Sequence, residues 1–342
     1  MKRLPVIFFL SMIATLLSCK KENSNGNLPG SSVTIYVAGV QNNGNKNIAT
    51  YWKNGAATYL TDGSHDASLL DIAVKGGKVY ACGWEHSQAG VAVAKYWNDA
   101  GVWQIGNGTT LSNAGKIKFF GNDFFIAGYE AVPSGNYIAK YWTNGSANNL
   151  TTAVNTAYAT DVFVSGNDIY ISGSINTGTH NTALYWKNGT QALLTNGNNS
   201  ALANSIVVVG PDVYVCGYEE VNGISVAKYW KNNIAVNLSD GTHNATADAL
   251  VVKNNTVYVC GTESNGTKAV AKYWKNGTAV NLSDGSTNAY AMDMKIAGDD
   301  VYIAGNAETS NGNPIAVYWK NLEMTTVSSP GKYGYAYALY LD

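Results

Sequence analysis

Short apolar runs separated by polar turns recur along this chain from about residue 33 to its end. Residues 247–285 show the pattern: the runs ADALVV, TVYVCG, AVAKYW and TAVNLS alternate with the segments 253–255, TESNGTK and 275–277. Runs of this length with Asn and Gly between them are typical of β-strands joined by tight turns. The pattern therefore predicts four short strands within this stretch.

The same unit recurs seven times. The pair Tyr-Trp returns every 44 or 45 residues, at Trp52, Trp97, Trp142, Trp186, Trp230, Trp274 and Trp319. An aromatic residue two positions before a small one returns with it, at Tyr36, Tyr80, Phe125, Tyr170, Tyr214, Tyr258 and Tyr302. Four strands in a repeat of this length are typical of a propeller blade. The sequence predicts an all-β, seven-bladed β-propeller with four antiparallel strands per blade.

The two ends of the repeat region are out of phase with the unit. The region begins on a second strand (residues 33–40) and finishes on a first strand (335–342). We expect the C-terminal strand to complete the N-terminal blade, because this closes the propeller and removes an exposed sheet edge. Such closure resembles that of WD40-like propellers. The chain lacks the WD40, Kelch and quinoprotein signatures, so this resemblance implies the fold (residues 33–342) and no activity.

The first 32 residues differ from the repeat region. Lys2 and Arg3 precede an apolar stretch that ends in LLSC, which resembles the lipobox of bacterial lipoproteins. The resemblance implies a signal peptide over residues 1–18, lipidation of Cys19, and a flexible tether over 19–32. The segment KKEN after Cys19 is similar to that of Bacteroidota envelope lipoproteins. It implies an exported protein held by its lipid anchor in the cell envelope, at the outer membrane.

The composition of the chain mainly excludes classes of function. The formal net charge is −1 and 13% of residues are charged, so no basic patch predicts nucleic-acid binding. Cys82, Cys216 and Cys260 occupy a repeat position that holds Ala or Ser in other blades. We expect small buried side chains there. The sequence predicts neither a cofactor nor a metal site.

Two charged positions vary together between blades. Glu85, Glu130, Glu219 and Glu263 occur in the blades that carry Lys95, Lys140, Lys228 and Lys272. The other three blades lack both charges, which predicts a cross-strand ion pair. Asp71, Asp161 and Asp293 share a position on the first strand, where we expect them to accept backbone N–H hydrogen bonds. A ligand or cation site in the channel is the alternative for these aspartates.

One end of the propeller should carry the longer second-to-third and inter-blade loops, and binding residues usually lie on such loops. The candidate ligand-binding residues on this face are Trp84, Tyr129, Tyr218, His65 and His243. The predicted function is a binding module of the cell envelope whose partner is a glycan, a peptide or an envelope protein. The alternatives are a propeller-based hydrolase or lyase acting on carbohydrate, and a structural envelope component. Nearly every acidic residue either recurs with the repeat or lies in a turn, so the sequence shows no asymmetric catalytic cluster.

Overall fold

The computed structural model describes residues 33–342. The predicted signal peptide, Cys19 and the tether lie outside the described residues. Within 33–342 there is no helix of the length and apolarity needed to cross a membrane.

The described chain forms 28 strands in seven four-stranded sheets. The first three strands are Ile35–Asn42 (β1), Asn47–Lys53 (β2) and Ala56–Tyr59 (β3). Blade 1 is Ala67–Lys75 (β4), Lys78–His86 (β5), Ala92–Asn98 (β6) and Gly101–Gln104 (β7). Blade 2 is Ser112–Phe120 (β8), Asp123–Ala131 (β9), Tyr137–Thr143 (β10) and Ser146–Asn149 (β11). Blade 3 is Thr156–Ser165 (β12), Asp168–Asn176 (β13), Asn181–Lys187 (β14) and Thr190–Leu193 (β15).

The remaining blades follow the same order. Blade 4 is Ala201–Val209 (β16), Asp212–Val221 (β17), Ile224–Lys231 (β18) and Ile234–Asn237 (β19). Blade 5 is Ala245–Lys253 (β20), Thr256–Ser264 (β21), Ala269–Lys275 (β22) and Thr278–Asn281 (β23). Blade 6 is Ala289–Ala297 (β24), Asp300–Glu308 (β25), Pro314–Lys320 (β26) and Glu323–Thr326 (β27). The last strand, Gly334–Leu341 (β28), pairs with β1 and completes blade 7.

This topology confirms the predicted fold and closure. All neighbouring strands within a blade are antiparallel, and β28 pairs with β1 in the order β28-β1-β2-β3. The first strand of each blade lines the central channel. Because β28 comes from the C-terminus, the two ends of residues 33–342 are joined by a full strand pairing.

Each repeated Trp packs against the preceding blade. Trp274 of blade 5 lies in one core cluster with Tyr214 and Cys216 of blade 4, and Trp319 of blade 6 lies with Cys260 of blade 5. Cys82, Cys216 and Cys260 are fully buried. The small residue of one blade is thus the platform for the next blade's indole, which explains why this position takes only Ala, Ser or Cys. Burial raises the pKa of all three thiols.

Every blade bends its first strand at a β-bulge. In blade 5 the register shifts between Ala247 and Ala249, which leaves Asp248 as the extra residue. The second strand passes close by at Gly261, where a Cβ would lie 2.0 Å from the carbonyl oxygen of Thr246. The equivalent glycines of all seven blades meet a backbone oxygen in the same way: Gly39, Gly83, Gly128, Gly173, Gly217, Gly261 and Gly305. The bulge therefore requires a glycine opposite it.

Candidate functional site

The two ends of the propeller differ in their connections. At one end, which we call the turn end, first-to-second and third-to-fourth strands are joined by two-residue turns such as 254–255 and 276–277. Asn254, Asn255 and Asn276 adopt positive φ there, which Asn tolerates better than most residues. The opposite end, the loop end, carries the inter-blade segments and the second-to-third loops. Blade 4 departs from the expectation, because only residues 222–223 connect its second and third strands.

The three aromatic candidates lie on strands near the loop end. Trp84, Tyr129 and Tyr218 each follow the close glycine of a second strand and pair with Ser68, Asn113 and Leu202. All three are half-buried. Trp84 packs on His86 with ring centroids 5.0 Å apart. These residues belong to three different blades, so the structure does not gather them into one pocket.

Three further aromatics lie at the same height on first strands, and the sequence analysis missed them. Tyr158, Tyr290 and Tyr335 pair with Ser174, Asn306 and Val40, the residues next to the close glycines of blades 3, 6 and 7. Six of the seven blades thus place one aromatic at this level, on either the first or the second strand. We call this set the aromatic collar: Trp84, Tyr129, Tyr158, Tyr218, Tyr290 and Tyr335. Tyr158, Tyr290 and Tyr335 share one repeat position, each followed by Ala, and this recurrence is the sequence signal that could have revealed them.

The collar is densest between blades 2 and 3. Tyr129 meets Tyr158 edge-on at 4.9 Å and Tyr137 edge-on at 5.4 Å, and Tyr137 lies 5.3 Å from Tyr158. Burial raises the pKa of Tyr129 and of Tyr158. Beside this cluster runs a groove of about 460 Å³. We call it the Asn groove, and its lining includes Asn136, Asn155, Thr156, Tyr158, Asn176 and Asn181.

Hydrogen bonds fix part of the Asn groove. The Asn136 amide donates to the carbonyl of Ala153 at 2.9 Å and accepts from the Thr156 hydroxyl at 3.2 Å. Asn176 donates to the Asn181 side-chain oxygen at 3.3 Å. The Asn155 side chain makes no hydrogen bond with another described residue. Val154 forms a rim that is 78% exposed. The groove is therefore mainly polar, and it meets the tyrosine cluster at Tyr158.

The charged pairs near the loop end neutralise each other, as predicted. Lys95 contacts Glu85 at 2.6 Å and Lys228 contacts Glu219 at 2.5 Å. The pairs Lys140–Glu130 and Lys272–Glu263 form in the same way. Lys46 bridges to Asp66 at 3.0 Å. These five pairs therefore leave none of their own charges without an opposite partner.

The two candidate histidines lie far apart around the propeller. His65 precedes blade 1 and His243 precedes blade 5, each beside a turn in which Asp62 or Asp240 accepts from a Ser or Thr hydroxyl at 2.7 Å. The hydroxyls and backbone N–H groups of these turns lower the pKa of both carboxyls. Across residues 33–342, no three His, Cys, Asp or Glu side chains come together in an arrangement for a metal ion.

The channel aspartates accept the backbone hydrogen bonds that the sequence indicated. Asp71 accepts from Ile117 N–H of the next blade at 2.8 Å, and Asp293 accepts from Leu339 N–H at 3.0 Å. Asp161 accepts from the Ser205 hydroxyl at 2.7 Å. Each aspartate thus ties its own first strand to that of the following blade.

Three lysines in the channel break the repeat: Lys116, Lys118 and Lys295. Lys116 lies 3.8 Å from Asp71 and 3.9 Å from Asp293, which belongs to a blade across the channel. Lys118 lies 3.6 Å from Asp71, and Lys295 contacts Asp293 at 2.9 Å. Lys118 and Lys295 lie two residues after the repeat position that holds the channel aspartates. In other blades Ala73 and apolar residues fill that later position. The presence of lysines at these positions is visible in the sequence. The approach of Lys116 to Asp293 depends on closure of the propeller, which brings blades 2 and 6 to the same channel.

Burial and charge act on the channel groups together. Burial disfavours the charged form of Lys116, but attraction to Asp293, Asp71 and Asp161 outweighs it and raises the pKa of that amine. The same balance raises the pKa of Lys118. For Asp293 burial is opposed by Lys116, Lys295 and Lys118, so the pKa of its carboxyl is lowered. The channel therefore holds charged ammonium and carboxylate groups side by side.

Comparison with known proteins supports the fold. No protein-family model matches the sequence, and no curated protein matches it. The β-propeller domain of the Trilobed protease from Pyrococcus furiosus aligns with a TM-score of 0.54 at 11% identity, over 87% of this chain and 93% of that domain. That domain has an open velcro topology, whereas β28 closes the propeller here.

Two other solved structures align less well. A mutant of AofleA from Arthrobotrys oligospora gives a TM-score of 0.44 at 10% identity, over 80% of this chain and 94% of that one. A puromycin-hydrolyzing peptidase from Mycobacterium tuberculosis gives 0.39 at 9% identity, over 76% of this chain. This chain spans about half of that peptidase, at 53%. Identities at this level show the fold alone.

Proposed function

We propose that this protein is a carbohydrate-binding module whose site is the Asn groove with the Tyr129–Tyr137–Tyr158 cluster. The observation that supports it is a groove of about 460 Å³ in which several side-chain amides face one aromatic ring, Tyr158, whose other neighbours are Tyr129 and Tyr137. An aromatic face covers the apolar side of a sugar ring, and amides supply both donors and acceptors for its hydroxyls. The volume is within the range of about 300–1,000 Å³ that small-ligand sites occupy.

The charge pattern favours a neutral sugar over a charged one. No Lys, Arg, His, Asp or Glu lines the groove. The charged pairs nearby, such as Lys140 with Glu130, are closed by their own contact. An anionic polysaccharide would find no free cation here, because the Lys140 ammonium is already held by its carboxylate.

The same lining argues for binding in place of turnover. Glycoside hydrolysis generally uses two carboxyl groups flanking the scissile bond. Among the groove residues there is neither Asp nor Glu, so the groove contains no such pair. The signal peptide and Cys19 anchor predicted from residues 1–32 would place such a module where extracellular polysaccharide is met.

Calorimetric titration of the protein with neutral oligosaccharides tests the proposal. We expect Tyr158→Ala to weaken binding about tenfold or more, which corresponds to about 1.4 kcal/mol. Tyr290→Ala is the matched control: it removes a collar aromatic that is 41% exposed and lies outside the groove. Melting curves of both variants check that the fold is retained.

Two results would reject the carbohydrate assignment. One is an equal loss of affinity in Tyr158→Ala and Tyr290→Ala, which would move the site away from the groove. The other is the absence of binding by any neutral oligosaccharide together with binding of unstructured peptides. That second result would assign the loop end to a protein partner.

A further inference from the structure

A second cavity lies in the half of the channel nearer the turn end. Its volume is about 320 Å³, at the lower end of the range of roughly 300–1,000 Å³ for small-molecule pockets. Phe163, Val207 and Val251 form an apolar part of its wall, and Lys116 and Lys118 lie in the same lining. None of the aromatic collar residues lines it. The cavity is therefore separate from the Asn groove and amphipathic in character.

Two of the lysines in this wall have unused hydrogen-bond donors. The ammonium groups of Lys116 and Lys118 approach the Asp71 carboxylate at 3.8 and 3.6 Å, beyond hydrogen-bond length. Neither ammonium donates a hydrogen bond to another described residue, although each has three N–H donors. Lys295 differs, because it donates to both carboxylate oxygens of Asp293 at 2.9 Å.

The cavity lining holds more cations than anions: Lys116, Lys118 and Lys295 against Asp161 and Asp293. The side chain of Lys118 is 34% exposed and that of Lys116 is 15% exposed, whereas that of Asp71 is 1% exposed. The Asp71 carboxylate is turned toward the backbone N–H of Ile117, and Asp161 toward Ser205. Attraction to Asp293, Asp71 and Asp161, acting against burial, raises the pKa of both lysines, so both stay charged at neutral pH.

We propose that this cavity binds a small carboxylate with a short apolar body. The carboxylate accepts hydrogen bonds from Lys116 and Lys118, and the apolar body packs against Phe163, Val207 and Val251. A carboxylate has two oxygens with about four acceptor sites, which suits two ammonium groups gathered at one aspartate. The apolar wall requires a carbon body that an inorganic anion does not have.

Titration of the full chain with benzoate, followed by calorimetry, tests this site. Benzamide has nearly the same shape without the charge, and inorganic phosphate has the charge without the apolar body. We expect benzoate to bind at least about tenfold more tightly than either, a difference of about 1.4 kcal/mol or more. Lys118→Met should reduce benzoate affinity about tenfold or more. Val251→Phe should reduce it through lost volume while all charges stay in place.

The control is Lys78→Met, which removes an exposed lysine at the turn end that does not line the cavity. Equal benzoate affinity in Lys118→Met and Lys78→Met would overturn the proposal, as would benzamide binding as tightly as benzoate. Phosphate binding as tightly as benzoate would overturn the apolar half of it. If Lys118→Met fails to fold, Val251→Phe and the benzamide comparison decide. We expect Tyr158→Ala to leave benzoate affinity unchanged, because Tyr158 does not line this cavity. The carboxylate and carbohydrate proposals can therefore fail separately.

Discussion

The ion pair of blade 4 can be exchanged for the apolar pair that blade 3 already uses. Glu219 and Lys228 contact at 2.5 Å, with side chains 17% and 9% exposed. Ile175 and Leu184 occupy the equivalent positions of blade 3, and both are buried. The double variant Glu219→Ile/Lys228→Leu therefore installs a pair that this same scaffold accommodates elsewhere.

The expected magnitudes follow from burial. Lys228→Leu alone leaves the Glu219 carboxylate mostly buried without its ammonium, which costs about 1–3 kcal/mol. This is less than the roughly 3–5 kcal/mol of a fully buried broken pair, because the carboxylate keeps some contact with solvent. For a domain of about 300 residues, 2 kcal/mol lowers the melting temperature by about 3 °C. We expect the double variant to lie within about 1 kcal/mol of the original, since apolar replacement of a buried pair is often neutral.

Melting by differential scanning calorimetry of the original, both single variants and the double variant completes the cycle. The coupling free energy of the cycle should cancel most of the destabilisation that Lys228→Leu causes alone. If the two single losses simply add in the double variant, the pair contributes no specific coupling. The interpretation of the covarying Glu and Lys positions as a stabilising ion pair would then be wrong.

Two other perturbations test the bulge and the buried carboxyl of blade 5. Gly261→Ala should lower the melting temperature by several degrees, because its Cβ would lie 2.0 Å from the Thr246 oxygen; Gly178→Ala, with no atom within 4 Å, should change it little. Similar melting temperatures for these two variants would refute the close-approach explanation. Burial raises the pKa of Asp248 to about 7, so the folded state holds a proton that the unfolded state releases, and stability should fall as pH rises from about 4 to about 7. Asp248→Asn should therefore melt at a higher temperature than the original protein at pH 8 but not at pH 4. Asn fits this position, because Asn204 occupies it in blade 4 and donates to the Ala247 carbonyl at 3.0 Å. Parallel curves of melting temperature against pH for the two proteins would contradict this.

Much of the fold was predictable from the sequence because its determinants are local and repeated. The Trp spacing, the Asn-Gly turns and the out-of-phase ends follow from the chain itself, and each is confirmed by the strand order. The Glu–Lys pairs were also predictable, because two positions that vary together within one hairpin need no distant partner. The small slot of Cys82 and its equivalents was correctly predicted to be buried.

The candidate sites depended on longer-range geometry. The sequence named Trp84, Tyr129 and Tyr218 because they share one repeat position. Tyr158 occupies a different repeat position and reaches Tyr129 only because the bulge sets the register of its strand and blade 3 packs on blade 2. The assignment of these aromatics to a ligand stays a prediction.

The sequence by itself determined the blade count, the strand pattern and the closure, since hydrophobic periodicity and turn residues act within tens of residues. Only the tertiary structure decided which side chains meet inside the channel. Lys116 and Asp293 are 177 positions apart in the chain, yet closure brings them to 3.9 Å. The physical reason is that first strands from all seven blades converge on one axis. The charges there interact across a gap that no local pattern describes.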